Sequence, residues 1–249
     1  MFEKSIKKIL IVSLTLNILC LSIGGLLVYK KGEISFNKSK SATVFNSNIK
    51  KSYSKYYIDK VKSFNNIKKT NEILFVGDSL TDYCNWNILF SNINIENLGI
   101  SGDHTGGVLN RTNSIYNLKP SKVFIMIGTN DLSSGINKET IVSNYVQIIK
   151  DIKKNSSKTE IFVQSILPIN QEIIKSNGSV RNEKNEDVVS LNGTLKEKAT
   201  QLGVKYINLY DLFTKSNKLN EIYTIDGIHL DRQGYSIWKQ AIEKYVTVN

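Results

Sequence analysis

Five short apolar runs, at 73–76, 93–96, 123–127, 161–164 and 205–208, alternate with segments of helix length at 81–90, 105–118, 138–154, 187–202 and 232–245. A strand followed by a helix and then another strand returns parallel to the first, and right-handed crossovers place the helices on both sheet faces. The pattern therefore predicts an α/β fold, a three-layer α/β/α sandwich around a five-stranded parallel sheet. Such sheets gather their sites at the carboxyl ends of the strands, near the point where strand order reverses. Chemistry-bearing residues are accordingly sought just after the strands.

Upstream, the chain carries material this fold does not need. Residues 9–29 form a run of 21 without a charge, preceded by Lys4, Lys7 and Lys8. A helix needs roughly 20 apolar residues to cross a bilayer. Leu26, Leu27 and Val28 continue the run past Gly24 and Gly25, without the small-residue exit of a cleaved signal peptide. Residues 1–31 thus read as one N-terminal transmembrane signal anchor. Cys20 lacks the small preceding residue of a lipidated cysteine, and with Cys84 it makes no disulfide framework. Residues 32–52, rich in Ser, Asn and Lys, read as a basic flexible stalk. Tyr53, Tyr57, Ile58, Val61 and Phe64 then recur at helical spacing, so the folded module is expected to span 53–249. The expected location is the cell membrane, single-pass. Lysines flank the span on both sides, and its place at the chain start favours an extracellular domain.

Charge narrows the partners. The net charge is +11, and residues 1–70 hold 14 Lys against Glu3, Glu33 and Asp59, which accounts for all of it. The other 179 residues carry 19 basic and 19 acidic side chains. A nucleic-acid partner, which needs a basic face on the folded domain, is not expected. The basic stalk reads either as a solubilising segment or as one attracted to anionic headgroups or an anionic wall polymer.

Four blocks carry candidate chemistry. Gly77-Asp78-Ser79-Leu80 follows the first strand, where a serine hydroxyl can project at the sheet edge and a helix N-terminus can face a developing oxyanion; alone, the block reads equally as a turn with an N-cap. Asn97-Leu98-Gly99-Ile100-Ser101-Gly102-Asp103 follows the second, and the Gly102 N–H is a second candidate donor, although such a loop is ordinary by itself. Gly128-Thr129-Asn130-Asp131 follows the third. The neutral Asn130 amide can hold an oxyanion, or Asn130 and Asp131 can simply cap the next turn. Asp226-Gly227-Ile228-His229 offers a base that exchanges a proton near neutral pH and a carboxylate to fix its tautomer; alone, His229 reads as a loop histidine without a catalytic role.

Together the blocks resemble the SGNH superfamily, the GDSL esterases and lipases, whose Ser, Gly, Asn and His occur here as Ser79, Gly102, Asn130 and His229. The likeness is nearest the small bacterial branch with platelet-activating-factor acetylhydrolase-like, lysophospholipase-like and carbohydrate acetylesterase-like members. It implies a flavodoxin-like sandwich and a serine ester hydrolase acting through an acyl-enzyme on Ser79. His229 would be the base and then the acid, Asp226 its orienter, and the Ser79 N–H, Gly102 N–H and Asn130 amide the oxyanion hole. No metal or cofactor is needed. The substrate would be a small ester, an acetylated carbohydrate or a lysolipid-like molecule. Asp78 is assigned to shaping the turn beside the nucleophile. His104 stands where relatives carry a small hydroxylated residue, and it is a candidate for lining the site. Tyr83, Cys84 and Trp86 are candidates for the acyl pocket border, Trp86 reading better as core. The alternatives are a cell-wall sugar O-acyltransferase, which would need a multi-span partner to deliver the acyl group, and a catalytically silent surface-binding module.

Overall fold

Runs buried on both faces make the sheet interior. In the computed structural model, which describes residues 53–68, 73–91 and 93–247, the order begins with α1 (Lys55–Asn65), β1 (Ile73–Gly77), α2 (Ser79–Asp82), α3 (Trp86–Leu89) and β2 (Ile95–Gly99). It continues through α4 (Thr105–Asn110), α5 (Thr112–Tyr116), β3 (Lys122–Met126), α6 (Thr129–Ser133), α7 (Lys138–Asn155) and β4 (Glu160–Gln164). It ends with α8 (Gln171–Ser176), α9 (Asn185–Gln201), β5 (Lys205–Ile207), α10 (Tyr210–Phe213), the hairpin β6 (Thr214–Lys215) and β7 (Lys218–Leu219), a 3₁₀ turn and α11 (Arg232–Thr247). The five sheet strands are parallel in the order β2-β1-β3-β4-β5. The strand order thus reverses at β1, and the carboxyl end of β1 is where a site is expected.

Register aligns the loops that follow β1, β2 and β3. Gly77 pairs with Gly99 on one side and Met126 on the other, so β1, β2 and β3 release their chains at one level. Phe75, Phe124 and Phe162 are register partners, and their rings stack 4.8 and 4.5 Å apart across the sheet. Trp86 extends the stack at 3.9 Å from Phe75, so it belongs to the core. α11 covers this face with Trp238, Ile242 and Val246, all buried.

Several elements differ from expectation. The segment 81–90 is two short helices, because the Asn97 side chain takes the carbonyls of Thr81, Asp82 and Cys84 (2.9–3.1 Å) that a continuous helix would use. Segment 105–118 breaks at Arg111, whose backbone leaves helical geometry (φ −108°, ψ 18°) where its guanidinium meets buried Asp103. The second strand starts at Ile95, not 93. The block at 226–229 does not directly follow a sheet strand, since α10, the hairpin and the 3₁₀ turn intervene. The expected span at 9–29 and the stalk lie outside the described residues; among those described, no helix is long and apolar enough to cross a membrane.

Candidate active site

The sharp turn after β1 requires a residue with no side chain. A Cβ at Gly77 would lie 2.2 Å from Thr81 Oγ1 and 2.4 Å from the Met126 carbonyl, so only glycine lets α2 fold back onto the strand end. Asp78 then caps α2, its Oδ1 accepting from the Leu80 N–H at 3.0 Å, which is the turn-shaping role expected of it. Ser79 is the first residue of α2, where a backbone N–H has no partner within the helix. With four residues, α2 contributes donors and little macrodipole, so the field expected of a longer helix is small.

His229 arrives on a closed loop. Thr224 and Leu230 form an antiparallel bridge, the Thr224 hydroxyl donates to the His229 carbonyl (2.7 Å) and accepts from the Gly227 N–H (2.9 Å). Within that loop Asp226 Oδ1 accepts from the Ile228 and His229 amides at 2.9 and 2.7 Å, which locks the carboxylate. Asp226 Oδ2 lies 2.6 Å from His229 Nδ1, and His229 Nε2 lies 2.9 Å from Ser79 Oγ. Tyr235 of α11 donates to the Leu80 carbonyl at 2.8 Å and so ties the helix after this loop to α2, which carries Ser79. Burial raises the Asp226 pKa, but the bonds from His229 and the two amides outweigh it and hold the carboxyl below its usual range.

Donors from two further loops face the same serine-bearing end of the sheet. Gly102 has φ +78° and is exposed, a backbone that favours glycine, and its N–H finds no acceptor among the described residues. Asn130 sits in α6, with Nδ2 donating to the Asp103 carbonyl at 3.0 Å and Oδ1 accepting from Arg181 Nη1 at 3.4 Å. One amide hydrogen of Asn130 thus remains for a ligand. His104 binds Ser134 Oγ at 3.0 Å and so faces α6, the helix that carries Asn130. Tyr83 packs its ring 5.2 Å from that of His229 while 59% exposed. Cys84 is buried in the core. Asp131 accepts from the Thr105 amide and hydroxyl, so it fastens α6 to α4.

Arg181, Arg111 and Asp82 were not singled out from the sequence. Arg181 donates to the Thr129 carbonyl at 3.0 Å and pairs with buried Glu183. Arg111 pairs with Asp103 at 3.1 Å, both fully buried. One signal was available: the chain has three arginines, at 111, 181 and 232, among 33 basic residues. Arginine is favoured where a buried fork of donors is needed, and two of the three serve this end of the sheet.

Burial also pushes the Asp78 carboxyl up to about 7, with the Leu80 N–H opposing. A carboxyl raised in the folded state holds its proton while the unfolded chain has released it. Stability is therefore lost as pH rises from about 4, the unfolded value, towards 7. Melting temperature against pH should fall across that window, and Asp78→Asn should flatten the fall; parallel curves for the two proteins would contradict this assignment.

Comparison with known proteins fits this geometry. The family model described as GDSL-like Lipase/Acylhydrolase matches residues 75–237. The chain is 27% identical over 176 residues to platelet-activating factor acetylhydrolase IB subunit alpha2 of Rattus norvegicus, covering 68% of this chain and 72% of that protein. It is 28% identical over 188 residues to N-acylneuraminate cytidylyltransferase of Escherichia coli, covering 73% of this chain and only 42% of that longer protein. Among solved structures, a protein from Streptococcus pneumonia superposes with TM-score 0.69 at 26% identity, covering 84% of this chain and 99% of the other. A GDSL-like lipase from Bacteroides thetaiotaomicron shares the fold with TM-score 0.64 at 23% identity, over 76% of this chain and 96% of that one.

Proposed function

Since the chain belongs to the GDSL-like lipase/acylhydrolase family, we propose that it hydrolyses esters of short acyl groups, acetyl above all, carried on a carbohydrate or a lysolipid-like alcohol. The observation that carries this reading is the unbroken relay from Asp226 through His229 to Ser79 Oγ, at 2.6 and 2.9 Å. In it, Ser79 attacks the ester carbonyl as His229 takes its proton, the tetrahedral oxyanion is held by the Ser79 and Gly102 N–H groups and the Asn130 amide, and the proton returns to the leaving alcohol. Water then repeats the sequence on the acyl-enzyme.

The preference for a short chain draws on the rat relative, which is named an acetylhydrolase. The His229 and Asp226 side chains are 26% and 39% exposed, so the base and its carboxylate are partly open to solvent. In this reading residues 1–52 tether the module at the outer face of the cell membrane.

A series of p-nitrophenyl esters tests the reading. The full-length chain should cleave the acetyl ester at least about tenfold more efficiently than the octanoyl ester. On intact cells the activity should disappear after external protease. Equal or better octanoyl cleavage would overturn the short-chain reading, and activity that survives protease until the cells are lysed would overturn the outer location.

A further inference from the structure

α1 lies before the span matched by the family model, yet polar contacts run from it to the candidate oxyanion hole. Lys60 Nζ reaches Asp82 Oδ1 at 2.7 Å, and the Tyr56 hydroxyl donates to Asp82 Oδ2 at 2.6 Å. That same Oδ2 accepts the Ser101 N–H at 2.9 Å. Ser101 immediately precedes Gly102, and its hydroxyl is 2.8 Å from Tyr83 Oη. The Asp82 side chain is only 6% exposed, so its charge needs the lysine and the phenol close by.

α1 is itself held by contacts that do not involve Asp82. Ser54 caps it through the Tyr57 N–H, the Tyr57 hydroxyl donates to the Gly107 carbonyl at 2.7 Å, Phe64 is buried, and Asn65 accepts from Ser114 at 2.8 Å. Lys60 and Tyr56 are therefore presented from a docked helix, not from free side chains. A carboxylate bound on one side by a fixed ammonium and a phenol, and on the other by a single loop amide, constrains that loop more strongly than a neutral acceptor would. Gly102 needs such a constraint, because it is exposed, has positive φ and bonds to nothing through its own N–H among the described residues.

We propose that Asp82, backed by Lys60 and Tyr56 of α1, is a positioning residue that holds the Ser101 N–H and thereby sets the following Gly102 N–H for the oxyanion, so that α1 is a working part of the active site. The inference rests on the reading of Gly102 as an oxyanion donor. A staple that serves stability alone would change the melting temperature and leave turnover per folded molecule untouched. A positioning role lowers kcat at nearly constant KM, because the donor matters most when charge develops on the carbonyl oxygen.

The test uses the full-length chain with Asp82→Ala, Asp82→Asn and the Lys60→Met/Tyr56→Phe pair, the last leaving the carboxylate in place should Asp82→Ala fail to fold. On p-nitrophenyl acetate, kcat should fall about 10- to 100-fold in Asp82→Ala and in the Lys60/Tyr56 pair, with KM changed less than about twofold. Asp82→Asn keeps an acceptor and should recover part of the loss. Amide hydrogen exchange in the 99–103 segment should quicken in the same order. Folded variants with wild-type kcat, or with exchange unchanged in that segment, would overturn the proposal. A wild-type chain inactive on every ester would instead strike at the functional reading, and the exchange measurement would then decide the role of Asp82 alone.

Discussion

Ser79→Ala should lower kcat on p-nitrophenyl acetate by about 10⁶-fold, and His229→Ala should cost about as much. The two side chains act as one unit: Oγ becomes a nucleophile only as Nε2, 2.9 Å away, removes its proton. The double substitution should therefore be no worse than either single one. Both proteins should fold. Ser79 Oγ makes a single side-chain bond, to His229, and His229 is partly exposed in a loop that the Thr224–Leu230 bridge and the Asp226 carboxylate hold without its ring. Steady-state rates with melting curves as controls would check this. Substantial activity in either folded variant would show that another group is the nucleophile or base.

Asp226→Asn should reduce kcat by about 10⁴-fold and leave KM nearly unchanged. The carboxylate accepts three hydrogen bonds, from the Ile228 and His229 amides and from His229 Nδ1. A carboxamide has one accepting atom. If its oxygen serves the two amides, its NH₂ faces Nδ1 and forces the proton onto Nε2, where it blocks uptake of the serine proton. The low pKa of Asp226 fixes the pH window for stability: the carboxylate's contribution is present above the unfolded carboxylate value of about 4 and is lost as pH falls through its depressed folded value. The wild type should lose this increment in acid, and Asp226→Asn should not. Kinetics and melting curves over pH would check both parts; near-wild-type turnover in the asparagine variant would remove Asp226 from the relay.

The sheet was legible because its central strands are buried on both faces, so that ILFV and VFIMI read as continuous apolar runs bounded by turn residues. Helix breaks were not, because they are made by side-chain partners outside the helix itself: Asn97 takes carbonyls 13–16 residues before it, and Arg111 turns inward to Asp103. The candidate nucleophile, base and carboxylate could be read from two short blocks, at 77–80 and 226–229, since each block is local and the chemistry demands particular residue types. What supports them could not. Asp82 draws on Lys60 and Tyr56, 22 and 26 residues away, and Arg181 reaches Thr129 across 52 residues from a polar segment without periodicity. The expected site position after a strand also misled in one case, because His229 comes from a bridge-closed loop reached only after the small hairpin.

Covalent trapping tests most directly whether these separate loops build one reaction centre. A fluorophosphonate, which phosphonylates a serine hydroxyl with loss of fluoride where a base and an oxyanion hole meet it, should add one equivalent to the chain. Peptide mass mapping should place it on Ser79, with labelling almost abolished in His229→Ala and slowed in Asn130→Ala. An adduct on any other residue, or undiminished labelling of Ser79 once His229 is gone, would contradict the account.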